Sequence, residues 1–171
     1  HLQRQAVTDT LTSAYNRRHL MECLEQIIPL CERYDKTAAV ILLDVDHFKS
    51  VNDTFGHTTG DAALIELVNQ IQARLRGSDK IFRYGGEEFA ILLAETNAQQ
   101  AHKLAVELCE LVRRCSIIEQ RRLTISCGVA EFRPGSSLQW IGRCDEALYR
   151  AKRDGRDRAE LALSETGGAM S

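Results

Sequence analysis

Lys80-Ile81-Phe82-Arg83-Tyr84-Gly85-Gly86-Glu87-Glu88-Phe89-Ala90-Ile91-Leu92-Leu93 is the stretch on which the fold turns. Two strand-compatible runs flank a glycine pair and two adjacent carboxylates, which predicts a β-hairpin with charge on its turn. Gly85 and Gly86 are expected to supply positive φ at the turn and to leave room for another molecule to approach the backbone.

On either side of the hairpin the periodicity is helical. Upstream, Leu64, Leu67, Val68, Ile71 and Leu75 mark one face of a helix over 61–76, with Asp61 near its start. Downstream, Ala101, Leu104, Ala105, Leu108, Leu111 and Val112 do the same over 97–115. Beyond those helices lie two further strands. Ala38 to Val45 is a continuous apolar run, the pattern of a strand buried on both faces, and it ends in Asp44-Val45-Asp46. Residues 122–132 form the other strand, with Gly128 as a point of bending. A helix over 10–34 containing Pro29, a short helix or turn at 47–53, a helix from Ser137 to near Gly155 and a last strand over 158–163 complete the order. A hairpin between two helices, flanked by outer strands, is a βαββαβ split core and an α+β fold.

The composition is that of one ordinary globular domain: 171 residues, 44% hydrophobic and 27% charged. A net charge of −2 gives no general attraction to DNA or RNA, so any phosphate binding must be built from a few placed lysines and arginines. The six cysteines show no metal-like spacing and several fall at apolar positions, as small buried hydrophobes of a reducing compartment do. No signal peptide or long apolar span is present. Residues 1–8 fit the end of an upstream linker or stalk helix, with Leu2 to Val7 as its last turn. Residues 9–163 form the domain, and 164–171 a frayed tail.

Period-two geometry puts Asp44 and Asp46 on one face of their strand, and the split core brings that strand beside the hairpin, so Asp44 and Glu87 converge. Carboxylates on strand ends suit a hard divalent cation, although Asp44 and Asp46 alone would serve equally as a solvated strand end. A calcium loop is excluded, because Phe48 and Lys49 stand where an oxygen ligand and a glycine belong.

Asp44-x-Asp46-x-Phe48-Lys49-x-x-Asn52-Asp53, Phe55-Gly56-His57-x-x-Gly60-Asp61 and Arg83 to Phe89 together closely resemble the GGDEF family of diguanylate cyclases. Asp9-x-Leu11-Thr12 with Asn16-Arg17-Arg18, Ser126-x-Gly128-Val129-Ala130 and Ala151-Lys152-x-x-Gly155-Arg156 extend the resemblance over roughly residues 9 to 158. It implies a nucleotidyl-cyclase-like palm with a mainly antiparallel central sheet surrounded by helices. It also implies condensation of two GTP into cyclic di-GMP and pyrophosphate across a homodimer. Asp44, Glu87 and the Val45 carbonyl would hold magnesium or manganese, two ions per active site. Glu88 would lie at the metals or near the ribose 3′-hydroxyl. Lys49, Lys152, Arg156 and the amides of His47 and Phe48 would hold the triphosphate, Asn52 and Asp61 would recognise guanine, and Gly85 and Gly86 would let the nucleotide lie against the hairpin. Asp61 could also cap its helix, and Lys152 and Arg156 could be an ordinary cationic helix end.

Arg76-Gly77-Ser78-Asp79 stands five residues before Gly85, in the register of the family's inhibitory RxxD site for cyclic di-GMP. The arginine that relatives often add from the following helix is replaced here by Lys103 or Glu107. The hairpin carries a second glutamate in place of the commoner aspartate. The resemblance further implies an upstream sensory or receiver domain and a cytoplasmic location, including the cytoplasmic portion of a membrane-bound sensor. The alternative is an effector that binds cyclic di-GMP or GTP without catalysis.

Overall fold

The computed structural model describes residues 5–163. Its elements are α1 (Arg17–Tyr34), β1 (Ala38–Val45), α2 (Phe48–Phe55), α3 (His57–Arg74), β2 (Lys80–Arg83), β3 (Glu88–Ala94), α4 (Ala98–Arg114), β4 (Ile125–Glu131), α5 (Ser137–Arg153) and β5 (Arg158–Leu161). The sheet order is β2-β3-β1-β4-β5, antiparallel at every pairing except β4 with β5. β1 and β3 are the adjacent central strands expected, whereas β2 lies at the edge.

β1 is buried along its whole length because helices cover both faces of the sheet. Ala39, Ile41 and Leu43 face a core built with α3 and α4. Val40 and Leu42 face a second core built with α1 and α5. Burying each such aliphatic side chain contributes about 2 kcal/mol. Side-chain caps set three helix starts: Asn16 accepts from the His19 amide, and Asn97–Gln100 and Ser136–Gln139 form reciprocal capping boxes.

Several boundaries depart from the sequence expectation. α1 begins only at Arg17, because residues 8–15 are spent on the edge of β2: Tyr15 donates its amide to Ile81 and accepts from that of Arg83. Pro29 is accommodated inside an unbroken α1. α3 starts at His57, so Asp61 lies past the first turn and cannot be the cap. β4 runs continuously through Gly128. The glycine serves close approach, since a Cβ there would lie 2.1 Å from the Cys144 carbonyl oxygen and 2.4 Å from the Leu148 nitrogen of α5. Of the stalk turn expected over Leu2 to Val7, residues 1–4 lie outside the described residues and residues 5–7 are not helical. The tail 164–171 also lies outside them.

Cys23, Cys31, Cys109, Cys127 and Cys144 are buried free thiols. Among the described residues no helix is long and apolar enough to cross a membrane.

Candidate active site

β1 delivers Asp44 to the rim of the sheet, and the chain turns sharply after it. His47, at φ 55°, makes that turn and leads directly into α2, whose first amides have no partner within the helix and no side-chain cap from His47. Asp44, Val45, Asp46, His47, Phe48, Lys49, Glu87, Lys152 and Arg156 line one cleft of about 210 Å³. Phe48, Lys49, Asn52, Asp61, Leu64, Arg83, Gly86 and Glu87 line another of about 280 Å³. Phe48, Lys49 and Glu87 line both, so the two clefts adjoin across these residues. All the residues expected at metal, phosphate and base therefore meet there except Glu88 and Gly85.

Glu88 sits opposite Asp44 in the β1–β3 register. Burial pushes its carboxyl above the ordinary range, and the negative charge of Asp44 adds to the effect. Burial also raises Asp44, although a hydrogen bond and positive charge from Lys152 oppose the rise. The site thus concentrates carboxylates whose raised values Lys152, and at Asp44 also Arg156, only partly oppose. Among the described residues no three His, Cys, Asp or Glu side chains are grouped to hold a metal unaided. Two carboxylates and a strand-end carbonyl fit magnesium nonetheless, which keeps several positions for water and substrate phosphates.

Asp46 has a different job from the one its neighbours suggest. Its carboxylate accepts from the Thr124 hydroxyl at 2.8 Å, the Ser126 hydroxyl at 2.6 Å and the Asp157 amide at 3.0 Å. Those donors fix the strand end rather than leave the group for a cation.

The hairpin turn closes through the amides of Tyr84 and Gly85, which both donate to the Glu88 carbonyl. Neither Gly85 nor Gly86 adopts the left-handed conformation expected of them. Their use is space: a Cβ at Gly86 would meet nothing within 4 Å, and one at Gly85 would press on Glu88 at 3.0 Å. On the far wall, Gly60 admits Asn52, whose Oδ1 would lie 1.9 Å from a Cβ at that position. The same Oδ1 is buried without a hydrogen-bond partner.

Arg83 and Arg17 escaped the reading of the sequence as site residues. Arg83 donates to the Gly86 carbonyl at 2.7 Å and pairs with Asp9 at 3.2 Å, bracing the turn from outside. Asp9 also accepts from the amide and hydroxyl of Thr12. Burial tends to raise its carboxyl, but these bonds and the Arg83 charge outweigh it and hold it low. Arg17 lies over the Tyr84 ring at 4.2 Å. The Asp9-x-Leu11-Thr12 and Asn16-Arg17-Arg18 motifs were the available signal, although the partners of Asp9 and Arg17 at the turn, Arg83 and Tyr84, lie 74 and 67 positions away.

Arg76 and Asp79 lie elsewhere, in a notch of about 220 Å³ shared with Arg74, Leu93, Glu95, Thr96, Gln100 and Leu104. Arg76 bonds Asp79 at 3.0 Å, the Ala94 carbonyl and the Thr96 hydroxyl, and only 2% of the Asp79 side chain is exposed. Glu107 is paired with Arg74.

A family model described as diguanylate cyclase, GGDEF domain, matches residues 6–158. The chain belongs to the GGDEF domain family. A probable diguanylate cyclase of Escherichia coli, DgcC, is 41% identical over 165 residues, covering 94% of this chain and 44% of that protein. The chain spans less than half the length of the curated relatives it matches. The GGDEF domain of DgcB from Caulobacter crescentus, solved in complex with c-di-GMP, superposes with a TM-score of 0.87 at 34% identity, covering 96% of this chain and all of that one. The active GGEEF domain of a diguanylate cyclase from Vibrio cholerae gives 0.83 at 31% identity, covering 86% of this chain and 96% of that one.

Proposed function

We propose that this domain is a diguanylate cyclase that condenses two GTP into cyclic di-GMP and two pyrophosphates, each domain of a homodimer presenting one GTP to the other. The observation that carries the reading is the pair of adjoining clefts that Asp44, Glu87, Lys49, Lys152 and Arg156 line on one side and Lys49, Glu87, Asn52 and Asp61 on the other. The family assignment and the Vibrio cholerae relative with the same doubled glutamate support it.

Lys49, Lys152 and Arg156, with the amides at the start of α2, would bind the triphosphate. The Asp61 carboxylate would accept from the guanine N1–H and exocyclic amine together, a donor pair that adenine lacks. Asn52 would supply a second polar contact to the base. Asp44, Glu87 and the Val45 carbonyl would hold magnesium or manganese, two ions per site, which when bound polarise the α-phosphate and favour ionisation of the 3′-hydroxyl. Lys152 would exchange Asp44 for phosphate oxygens as the nucleotide enters. Glu88, buried beside Asp44, would serve as a further ligand or take the proton of the 3′-hydroxyl.

Incubation of a forced dimer with GTP and magnesium, followed by chromatography, tests the assignment. Cyclic di-GMP should form, and Glu87→Ala should cut the rate by roughly a hundredfold or more with folding preserved. Persistent absence of product from the folded dimer would reject it.

Product inhibition at Arg76 and Asp79 is the regulatory part of the proposal. The complex of the Caulobacter crescentus domain with c-di-GMP and the notch around Arg76 support it. An upstream sensory or receiver domain would control dimer geometry, with the catalytic domain on the cytoplasmic side.

A further inference from the structure

Gly155, Arg156 and Asp157 join α5 to β5 with three consecutive left-handed residues, at φ 126°, 63° and 49°. Glycine enters that region freely, whereas two successive non-glycine residues stay there only if their surroundings over-determine them. Two anchors do so. From the sheet side, the Asp157 amide donates to Asp46 Oδ2 at 3.0 Å, and Asp46 is itself clamped by Thr124 and Ser126. From the opposite side, Arg113 in the last turn of α4 donates through Nε to Asp157 Oδ2 at 3.0 Å and through Nη2 to Oδ1 at 3.1 Å. The Arg156 amide meanwhile closes onto the Ala151 carbonyl at 2.9 Å. Neither Arg113 nor Asp157 lines the cleft, yet the residue between their anchors, Arg156, does.

We propose that Arg113 and Asp157 are positioning residues for nucleotide binding, locking the left-handed turn so that Arg156 is presented to the phosphates before they arrive. Preorganising the turn removes an ordering cost that binding would otherwise bear. The inference rests on the assignment of the cleft to a nucleoside triphosphate.

Charge and geometry give opposite signs for one substitution. Asp157→Asn removes a negative charge beside a phosphate site, so electrostatics alone would tighten binding, while asparagine tolerates the left-handed conformation as well as aspartate does. Positioning requires weaker binding, because the fork from Arg113 loses its carboxylate. Calorimetry of the whole chain with an unreactive GTP analogue and magnesium should show at least a tenfold weakening for Asp157→Asn and for Arg113→Ala. In an Arg156→Ala background each should add less than twofold, because the residue they position is gone. Amide exchange at Asp157, read without nucleotide, should accelerate at least tenfold in Arg113→Ala. Arg113→Lys, which keeps the charge but not the fork, should fall between and guards against a misfolded alanine variant. Equal or tighter binding by Asp157→Asn, full loss persisting in the Arg156→Ala background, or unchanged Asp157 exchange would each overturn the proposal. A parent chain that binds no analogue would overturn the triphosphate assignment together with it.

Discussion

Asp44 and Glu88 stand directly opposite each other across β1 and β3, and burial raises both carboxyl groups. A carboxyl raised in the folded state costs stability once the pH exceeds its ordinary value, since the folded protein then bears a charge that the unfolded chain accommodates more easily.

Glu88→Gln should therefore raise the thermal midpoint of the metal-free domain at neutral pH, by about 2 °C. The gain should shrink as the pH falls toward 4.5, the ordinary value for this side chain, because wild-type Glu88 is then protonated as well. Midpoints measured across that range check the sign, and a lowered midpoint at pH 7 would contradict the account.

Gly60→Ala would force a methyl group onto the Asn52 side chain and to 3.1 Å from Phe48 Cζ. Alanine favours the helix by about 1 kcal/mol, so folding should survive. GTP should nevertheless bind roughly tenfold more weakly as Asn52 is displaced, and preference for guanine over adenine should narrow. Competition between GTP and ATP for the folded variant provides the measurement; unchanged selectivity would exclude Asn52 from base recognition.

Gly128→Ala meets backbone on every side rather than a movable side chain. Separation of α5 from β4 should cost about 3 kcal/mol or more, visible in denaturant unfolding. That helix carries Lys152, so any folded residue of the variant should also lose nucleotide affinity.

Arg76→Lys retains the charge but loses the fork that spans Asp79. The inhibitory concentration of cyclic di-GMP should rise at least tenfold, with the initial rate from GTP within about twofold. Arg76→Ala should show the same relief and an additional loss of about 1 kcal/mol in stability, since it leaves the nearly buried Asp79 carboxylate with the backbone amide of residue 76 but without the guanidinium. Undiminished inhibition in both variants would place the dinucleotide elsewhere.

Chemistry borne by strand ends was legible from the sequence, and geometry borne by loops was not. Ala38 to Leu43 could be placed in the sheet centre because both faces are apolar, and that placement carries Asp44 to the cleft. Lys49, Asn52 and Asp61 could be named only through the resemblance of their motifs to the family, since residues 47–53 read as no more than a short helix or turn. Residues 8–15 looked helical because short-range propensity does not register that Tyr15 is needed on the β2 edge. Asp46 could be placed only on the face of Asp44, because the three donors that occupy its carboxylate come from residues 78 or more positions away. Gly85 and Gly86 suggested positive φ, which neither adopts; a Cβ at Gly86 would meet nothing within 4 Å, and one at Gly85 only the flexible end of Glu88. For Tyr15 and Asp46 a long-range contact, invisible to local pattern, decides the role.

The segment over β2 has a consequence for assembly. Tyr15 occupies the outward-facing carbonyl of Ile81 and amide of Arg83, groups that an exposed edge strand would offer to any passing chain. Strand exchange on that flank is thereby blunted, so two copies are not drawn into a continuous ribbon beside the hairpin.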